Sequence, residues 1–170
     1  MTMRAIILAA SVLASASAFA QDQANRTGSF VDADGQPSGS AELIGVAAGG
    51  VLIRIEVSGL PAGQWVAFHV HETGECDAAT DHESAGGHFN PGDREHGFQS
   101  AEGPHAGDMA NQFVGEDGVL RAEVYNAFVT LDESETGIVG RALMIHAGAD
   151  DYESQPSGDA GDRLACAVIE

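Results

Sequence analysis

The sequence predicts an all-β fold, and three observations support this. Short runs of alternating apolar and polar residues dominate the chain, and turn residues separate them. Glycine is abundant, with 22 residues in 170. After the first twenty residues there is no long amphipathic helical pattern. Because an alternation with period two is typical of half-buried strands, we expect a sandwich or flattened barrel of short strands.

The first twenty residues have the features of a secretory signal peptide. Arg4 supplies a positive start, residues 5–12 are almost wholly apolar, and the sequence AFA at 18–20 is a typical cleavage site. A membrane anchor is the alternative, but the apolar run is shorter than the roughly 20 residues that span a bilayer. We expect residues 1–20 to be removed and residues 21–170 to form a single exported domain.

Eight segments of the remaining chain fit short strands. In chain order they are Gly28–Ala33, Ser40–Ala47, Val51–Gly59, Gln64–His71, Asn111–Val114, Val119–Ala127, Gly140–His146 and Leu164–Ile169. Two segments, 72–110 and 147–163, have no sustained period and are rich in Gly and Asp. Loops of this length inside a compact domain are usually functional or disordered. We expect function, because candidate metal ligands lie in or next to both.

The charge of the chain excludes two classes of partner. The formal net charge is −19, and all seven basic residues are arginine. Removal of Arg4 with the signal peptide makes the mature chain −19 − 1 = −20. Binding to nucleic acid or to an anionic membrane needs a basic surface. We therefore expect neither a nucleic-acid partner nor a membrane partner.

The two cysteines, Cys76 and Cys166, allow one intramolecular disulfide. They lie 166 − 76 = 90 positions apart. A bridge that closes such a loop stabilises the folded state by roughly 4–5 kcal/mol in the chain-entropy model. Disulfides persist in the oxidising compartments that exported proteins reach. The alternative is two unpaired buried thiols.

Six histidines and one aspartate form a metal-binding pattern. In the predicted strand 64–71, His69 and His71 share the face opposite Val66, Phe68 and Val70, and stand roughly 6–7 Å apart. Taken alone, the HVH motif is more often a pair of surface residues. Together with the other four histidines and Asp108 it indicates two metal sites. The six histidines are His69, His71, His88, His96, His105 and His146.

The donors divide into two sets that share His88. His88, His96, His105 and Asp108 offer three nitrogens and one oxygen, which suits tetrahedral Zn²⁺. His69, His71, His88 and His146 offer four nitrogens, which suits copper in two oxidation states. The ring of His88 has two nitrogens and can serve both sets. The seventh histidine, His82, is predicted to be a solvated loop residue.

Together the motifs resemble those of a known family. WVAFHVHETGEC, SAGGHFNPGDREHG, PHAGDM, GRALMIHAGADD and GDAGDRLACAVI are similar to segments of copper/zinc superoxide dismutases. The short gap between His71 and Cys76 is similar to that of the bacterial, periplasmic branch. The resemblance implies an eight-stranded Greek-key flattened barrel with two long functional loops. It also implies an enzyme that disproportionates superoxide by cycling Cu(II)/Cu(I) beside a histidine-bridged structural zinc.

The resemblance also implies a role for each site residue. His88 and Arg163 are the expected catalytic residues, and Arg163 lies beside the copper. Asp150 is the carboxylate that links His69 to His96. Cys76 and Cys166 form the disulfide, and a homodimer is possible. The implied metal ligands are His69, His71, His88 and His146 for copper, and His88, His96, His105 and Asp108 for zinc.

A periplasmic metal-binding relative without turnover is the alternative function, either a copper buffer or a zinc-only protein. Buffers of Cu⁺ usually expose clustered methionine or cysteine, whereas Met109 and Met144 lie far apart in the sequence. One departure from the family is the segment 147–163, which is acidic and has Arg163 as its only base. Long-range attraction of an anionic substrate is therefore not expected from the surface.

Overall fold

The computed structural model describes residues 25–170, so the predicted signal peptide lies outside the described residues. Within this range the helical segments are two single 3₁₀ turns, Ala78–Thr80 and Glu83–Ala85. No helix in residues 25–170 is long and apolar enough to cross a membrane. The strands are β1 (Arg26–Asp32), β2 (Pro37–Gly45), β3 (Val51–Val57), β4 (Trp65–Val66), β5 (Phe68–His71), β6 (Gln112–Phe113), β7 (Leu120–Asn126), β8 (Ala142–His146) and β9 (Arg163–Val168).

Seven of the strands form one curled antiparallel sheet in the order β5-β8-β9-β1-β2-β3-β7. The other two, β4 and β6, pair with each other. The last strand of the chain lies between β8 and β1, so the middle of the sheet is held together by contacts between distant parts of the sequence. The predicted all-β fold class is confirmed, and each of the eight predicted segments contains strand.

One predicted strand is divided in two. The segment 64–71 separates into β4 and β5 at Ala67, whose N–H donates to the carbonyl of Gly148 at 2.7 Å. The carbonyl of Ala67 accepts from the N–H of His146 at 3.0 Å. Both backbone groups of Ala67 therefore form hydrogen bonds with the end of β8 and the chain that follows it. As a result β4 is free to pair with β6, while β5 continues beside β8.

The core lies on one face of the sheet. In β3 the residues Val51, Ile53 and Val57 are fully buried, and Arg54 and Glu56 between them are exposed. This is the period-two pattern of a strand with one face in the core. Burying each such aliphatic side chain contributes about 1.5–3 kcal/mol.

The opposite face of β5 and β8 is also covered, by the loop 72–110. A second, small apolar cluster lies there; its fully buried members are Ala85, Ala142, Met144 and Cys166. Cys76 packs against this cluster and forms the predicted disulfide with Cys166, with a Cα–Cα distance of 5.6 Å. The disulfide is thus confirmed, and it ties the loop to β9.

The loop also pairs with the free edge of β5. Val70 donates its N–H to the carbonyl of Gly107 at 2.9 Å and accepts from the N–H of Phe89 at 2.8 Å. A side chain at Gly107 would collide with the carbonyl of Val70, so this close approach requires glycine. The pairing brings loop residues His88 and Asp108 beside the histidines of β5.

Candidate metal centre

The structure brings all seven predicted ligands into two groups. In each group the possible donor atoms lie within 4.8 Å of one another. Every one of these side chains is buried, with at most 8% of the residue exposed. The first group contains His69, His71, His88 and His146, and the second contains His88, His96, His105 and Asp108.

The second group is arranged around one carboxylate oxygen. Asp108 Oδ1 lies 2.9 Å from His88 Nδ1, 3.1 Å from His96 Nδ1 and 3.4 Å from His105 Nδ1. The other oxygen, Oδ2, accepts the backbone N–H groups of Gly97 and His105 at 2.9 and 3.0 Å. Three imidazole nitrogens and one fixed carboxylate oxygen are the donor set of a tetrahedral zinc site.

In the first group, His71 and His146 face each other. Their Nε2 atoms are 3.3 Å apart. The Nδ1 atom of His71 lies 2.9 Å from the carbonyl of Gly86, and that of His146 lies 3.3 Å from the carbonyl of Gly161. A carbonyl only accepts, so Nδ1 carries the proton in both rings. The Nε2 atoms therefore present lone pairs to the centre of the group.

Unpartnered nitrogens show that the residues fit metal ions. His69 Nδ1, His88 Nε2 and His105 Nδ1 are buried side-chain nitrogens without a hydrogen-bond partner in the described chain. Buried polar atoms in native proteins are rarely left in this state, and a bound ion is one of the accepted explanations. Because His88 Nδ1 faces Asp108, its unpartnered Nε2 is the atom left for the first group.

Asp150 connects the two groups. Its Oδ2 lies 2.8 Å from His69 Nε2, and its Oδ1 lies 3.0 Å from His96 Nε2. The backbone approaches closely here, because a side chain at Gly158 would collide with the Asp150 carboxylate and the His96 ring. Gly158 also has a φ of +73°, which favours glycine. Asp150 thus lies where the resemblance implies a linking carboxylate.

Burial keeps three of the histidines neutral. It lowers the pKa of His71 to about 2, with help from the nearby rings of His88 and His146. Burial also lowers the pKa of His146 to about 3 and that of His88 to about 4, although the Asp108 carboxylate opposes the shift at His88. All three are therefore uncharged at neutral pH, which is the form of imidazole that binds metal ions.

The two carboxylates have the opposite effect on His96. Burial favours its neutral form, but Asp108 and Asp150 accept from its two ring nitrogens and raise its pKa to about 9. Burial alone would raise the pKa of Asp108, yet the facing imidazoles hold it far below its ordinary value. The pKa of Asp150 is lowered in the same way by His69 and His96, against burial. Both carboxylates are therefore ionised.

Arg163 lies at a cleft that reaches the first group. The cleft has a volume of about 820 Å³, and His71, His88 and His146 are among its lining residues. The guanidinium donates through Nη1 to the carbonyl of His82 at 2.7 Å and through Nη2 to the carbonyl of Gly86 at 2.9 Å. Arg163 is thus a fixed cation in the cleft that His71, His88 and His146 line.

The prediction for His82 is wrong, because the structure buries it completely. Its Nε2 lies 3.0 Å from the carbonyl of Asp32, and its own carbonyl accepts from Arg163. The two 3₁₀ turns fold this part of the loop inward, where the disulfide holds it against β9. The sequence carries no periodic signal for this, because the partners lie 50 and 81 positions away.

Gln155 is a further residue of the site that the sequence pattern does not indicate. Its Oε1 accepts the backbone N–H of His96 at 2.8 Å, and its Nε2 donates to the backbone carbonyl of the same residue at 2.9 Å. The amide therefore clamps the backbone of one predicted zinc ligand to the second long loop. A glutamine in a Gly/Ser-rich loop gives no local sign of such a contact, since its partner is 59 positions away.

Comparison with known proteins identifies the family. A model of the copper/zinc superoxide dismutase family matches residues 37–169. This chain belongs to that family. Two relatives from Aquifex aeolicus support the assignment. Cu-Zn superoxide dismutase 2 is 45% identical over 167 residues, with 96% of each chain covered. Cu-Zn superoxide dismutase 1 is 47% identical over 145 residues, covering 83% of this chain and 85% of the relative.

A solved structure supports the copper/zinc superoxide dismutase fold. A superoxide dismutase-like protein from Bacillus subtilis superposes with a TM-score of 0.79 at 36% identity. The match covers 83% of this chain and 95% of that protein. The fold and family that the motifs indicated are therefore confirmed.

Proposed function

We propose that this chain is a superoxide dismutase whose two metal sites are the two donor groups described above. His69, His71, His88 and His146 would hold copper, and His88, His96, His105 and Asp108 would hold zinc. Four imidazoles tolerate both oxidation states of copper, and a mixed nitrogen and oxygen set suits zinc. The unpartnered nitrogens of His69, His88 and His105 support this division.

One observation carries the proposed function: His88 belongs to both groups, within reach of the cleft that Arg163 lines. The reaction is 2 O₂⁻ + 2 H⁺ → O₂ + H₂O₂. When bound, copper supplies the one-electron chemistry, while zinc is not redox-active. The protein must therefore bind a small anion and deliver protons to the reduced product.

The residues of the chain can perform both tasks. Arg163 is a permanent cation that can hydrogen-bond an anion, and its two carbonyl partners hold it in place. His88 Nε2 is the atom placed to take up a proton and release it, since Nδ1 stays directed at Asp108. Asp150 fixes the ring orientations of His69 and His96. The non-catalytic alternative is disfavoured by the complete donor sets and by Arg163.

The test is metal analysis combined with a superoxide-consumption assay on the purified mature protein. We expect one copper and one zinc per chain and rapid consumption of superoxide. His146→Ala removes a donor of the first group alone, so copper and activity should be lost while zinc is largely retained. Asp108→Ala removes a donor of the second group alone, so it should lower the affinity for zinc more than the affinity for copper. If His146→Ala keeps both copper and activity, the assignment of the ligands is wrong.

Export to the periplasm is a further part of the proposal. The disulfide agrees with a secreted protein, and residues 1–20 have the pattern of a signal peptide. Mass spectrometry of the periplasmic fraction should give an N-terminus near Gln21.

We also propose a homodimer, on the resemblance to bacterial members of the family. Sedimentation equilibrium of the metal-loaded protein would give a monomer mass if this is wrong.

A further inference from the structure

The guanidinium of Arg163 in the cleft is held by one short loop segment. Arg163 donates to the carbonyls of His82 and Gly86, at 2.7 and 2.9 Å. Only 14% of its side chain is exposed. The position of the guanidinium is therefore set by two backbone acceptors.

A carboxylate also contacts this cation. Glu83 lies in the same segment, and its Oε2 is 3.3 Å from Nη2 of Arg163. The side chain of Glu83 is 71% exposed and lines the cleft together with Asp81 and Asp162. Glu83 can thus swing into water while Arg163 stays fixed. Its carboxylate contacts Nη2, one of the guanidinium nitrogens that could donate to an incoming anion.

We propose that Glu83 sets the anion affinity of the cleft by competing with small anions for Arg163. An anion that binds the guanidinium must displace this carboxylate or bind beside it. In either case it gives up part of the attraction of Arg163. Where that anion is superoxide, the inference rests on the proposed function; the competition itself requires only Glu83 and Arg163.

The size of the effect follows from the exposure of Glu83. Ion pairs that are open to solvent are weak, so their loss changes an equilibrium constant by about 1.5- to 5-fold. Asp81 and Asp162 line the same cleft but form no ion pair with Arg163 in the described chain. The contact of Glu83 is therefore expected to have the largest local effect, and salt screens it only partly at close range.

The test compares Glu83→Gln and Glu83→Ala with a matched control, Glu56→Gln. Glu56 is an exposed glutamate of β3 that pairs with Arg121 at 3.5 Å. Its replacement changes the net charge by the same amount outside the cleft. Two probes are used. Azide is titrated into the copper- and zinc-loaded protein by absorption spectroscopy, and inorganic phosphate into the zinc-only protein by NMR of the Arg163 side chain.

Both Glu83 variants should bind both probes about 1.5- to 5-fold more tightly than the wild type, whereas Glu56→Gln should bind them as the wild type does. The difference should shrink as salt is raised. Equal affinities in Glu83→Gln and Glu56→Gln, or weaker binding in the Glu83 variants, would overturn the proposal. Metal content is measured in every variant, so that loss of copper is not mistaken for weak azide binding.

The rate of superoxide consumption separates this proposal from the proposed function. If the wild type consumes superoxide, the Glu83 variants should be faster at low salt, and Glu56→Gln should not. If the wild type does not consume superoxide while the probes still bind more tightly to the Glu83 variants, the proposed function fails and the role of Glu83 stands. If the wild type consumes superoxide but the probes bind no more tightly to the Glu83 variants, the proposed function stands and the role of Glu83 fails.

Discussion

Replacement of Asp150 by Asn tests how the two metal sites are coupled. The carboxylate is buried, and its two oxygens face His69 Nε2 at 2.8 Å and His96 Nε2 at 3.0 Å. If both rings bind metal through Nδ1, both Nε2 atoms carry a proton and donate. Asn has nearly the same shape, but it offers one acceptor oxygen and one NH₂ group. In the variant, one imidazole N–H must therefore face another N–H.

The expected loss follows from these contacts. A hydrogen bond to a charged acceptor contributes about 1.5–3 kcal/mol, and the loss of such a partner behind a metal-binding histidine costs about 10- to 100-fold in metal affinity. In Asp150→Asn the ring that faces the NH₂ group loses its acceptor. The affinity for the metal that this ring binds should therefore fall by about 10- to 100-fold. The other ring keeps an acceptor but loses its charge, so the affinity for the metal that this ring binds should fall less. In Asp150→Ala the affinities for both metals should fall strongly, because both rings lose their acceptor.

The assay is competition with chelators of known affinity, measured separately for copper and for zinc. Asp159→Asn is the control, because Asp159 is an exposed carboxylate of the same loop with a φ of +52°, which Asn tolerates. It should leave both affinities unchanged. If Asp150→Ala binds both metals as tightly as the wild type, or if Asp159→Asn lowers the metal affinities by the same factor, Asp150 does not couple the two sites.

Three further predictions concern the disulfide, the cleft and pH. Reduction of Cys76–Cys166 should lower the melting temperature and release metal, because the bridge ties the ligand loop to β9; two titratable thiols in natively purified protein would contradict the bridge itself. Arg163→Glu should slow superoxide consumption far more than Arg163→Lys, with copper retained in both. The wild-type rate should fall only weakly with added salt, because the chain has a formal net charge of −19. A steep fall would mean that a positively charged channel guides the substrate. The metal-free protein should be most stable at about pH 7, where the four histidines with shifted pKa values together bind about one proton in the unfolded chain and His96 alone binds one in the folded protein. Below it the unfolded chain protonates His71, His88 and His146, whose folded pKa values of about 2, 4 and 3 keep them neutral, and above it the stability from His96, with a folded pKa of about 9, is lost. Melting curves from about pH 4 to pH 9 would exclude this if stability rose steadily in either direction.

The sequence alone determined the strands and the donor types. The alternation of apolar and polar residues in Val51–Val57 indicates which side chains enter the core, because successive residues of a strand point to opposite faces. The same rule places His69 and His71 together, away from the core. The chemistry of the donors follows from residue type, so copper and zinc are predictable as cofactors from the amino acids themselves.

The contacts that the loops make with the rest of the chain were decided by the tertiary structure. The burial of His82, the clamp of Gln155 on His96 and the ion pair of Glu83 with Arg163 join residues that are 50 to 81 positions apart. Such contacts leave no period in the sequence, since loops have no repeating geometry that links neighbouring residues to one face. They form because the disulfide and the edge of β5 hold the first loop in one position. The sequence therefore determines which groups are available for chemistry, and the packing of the loops decides which of them meet.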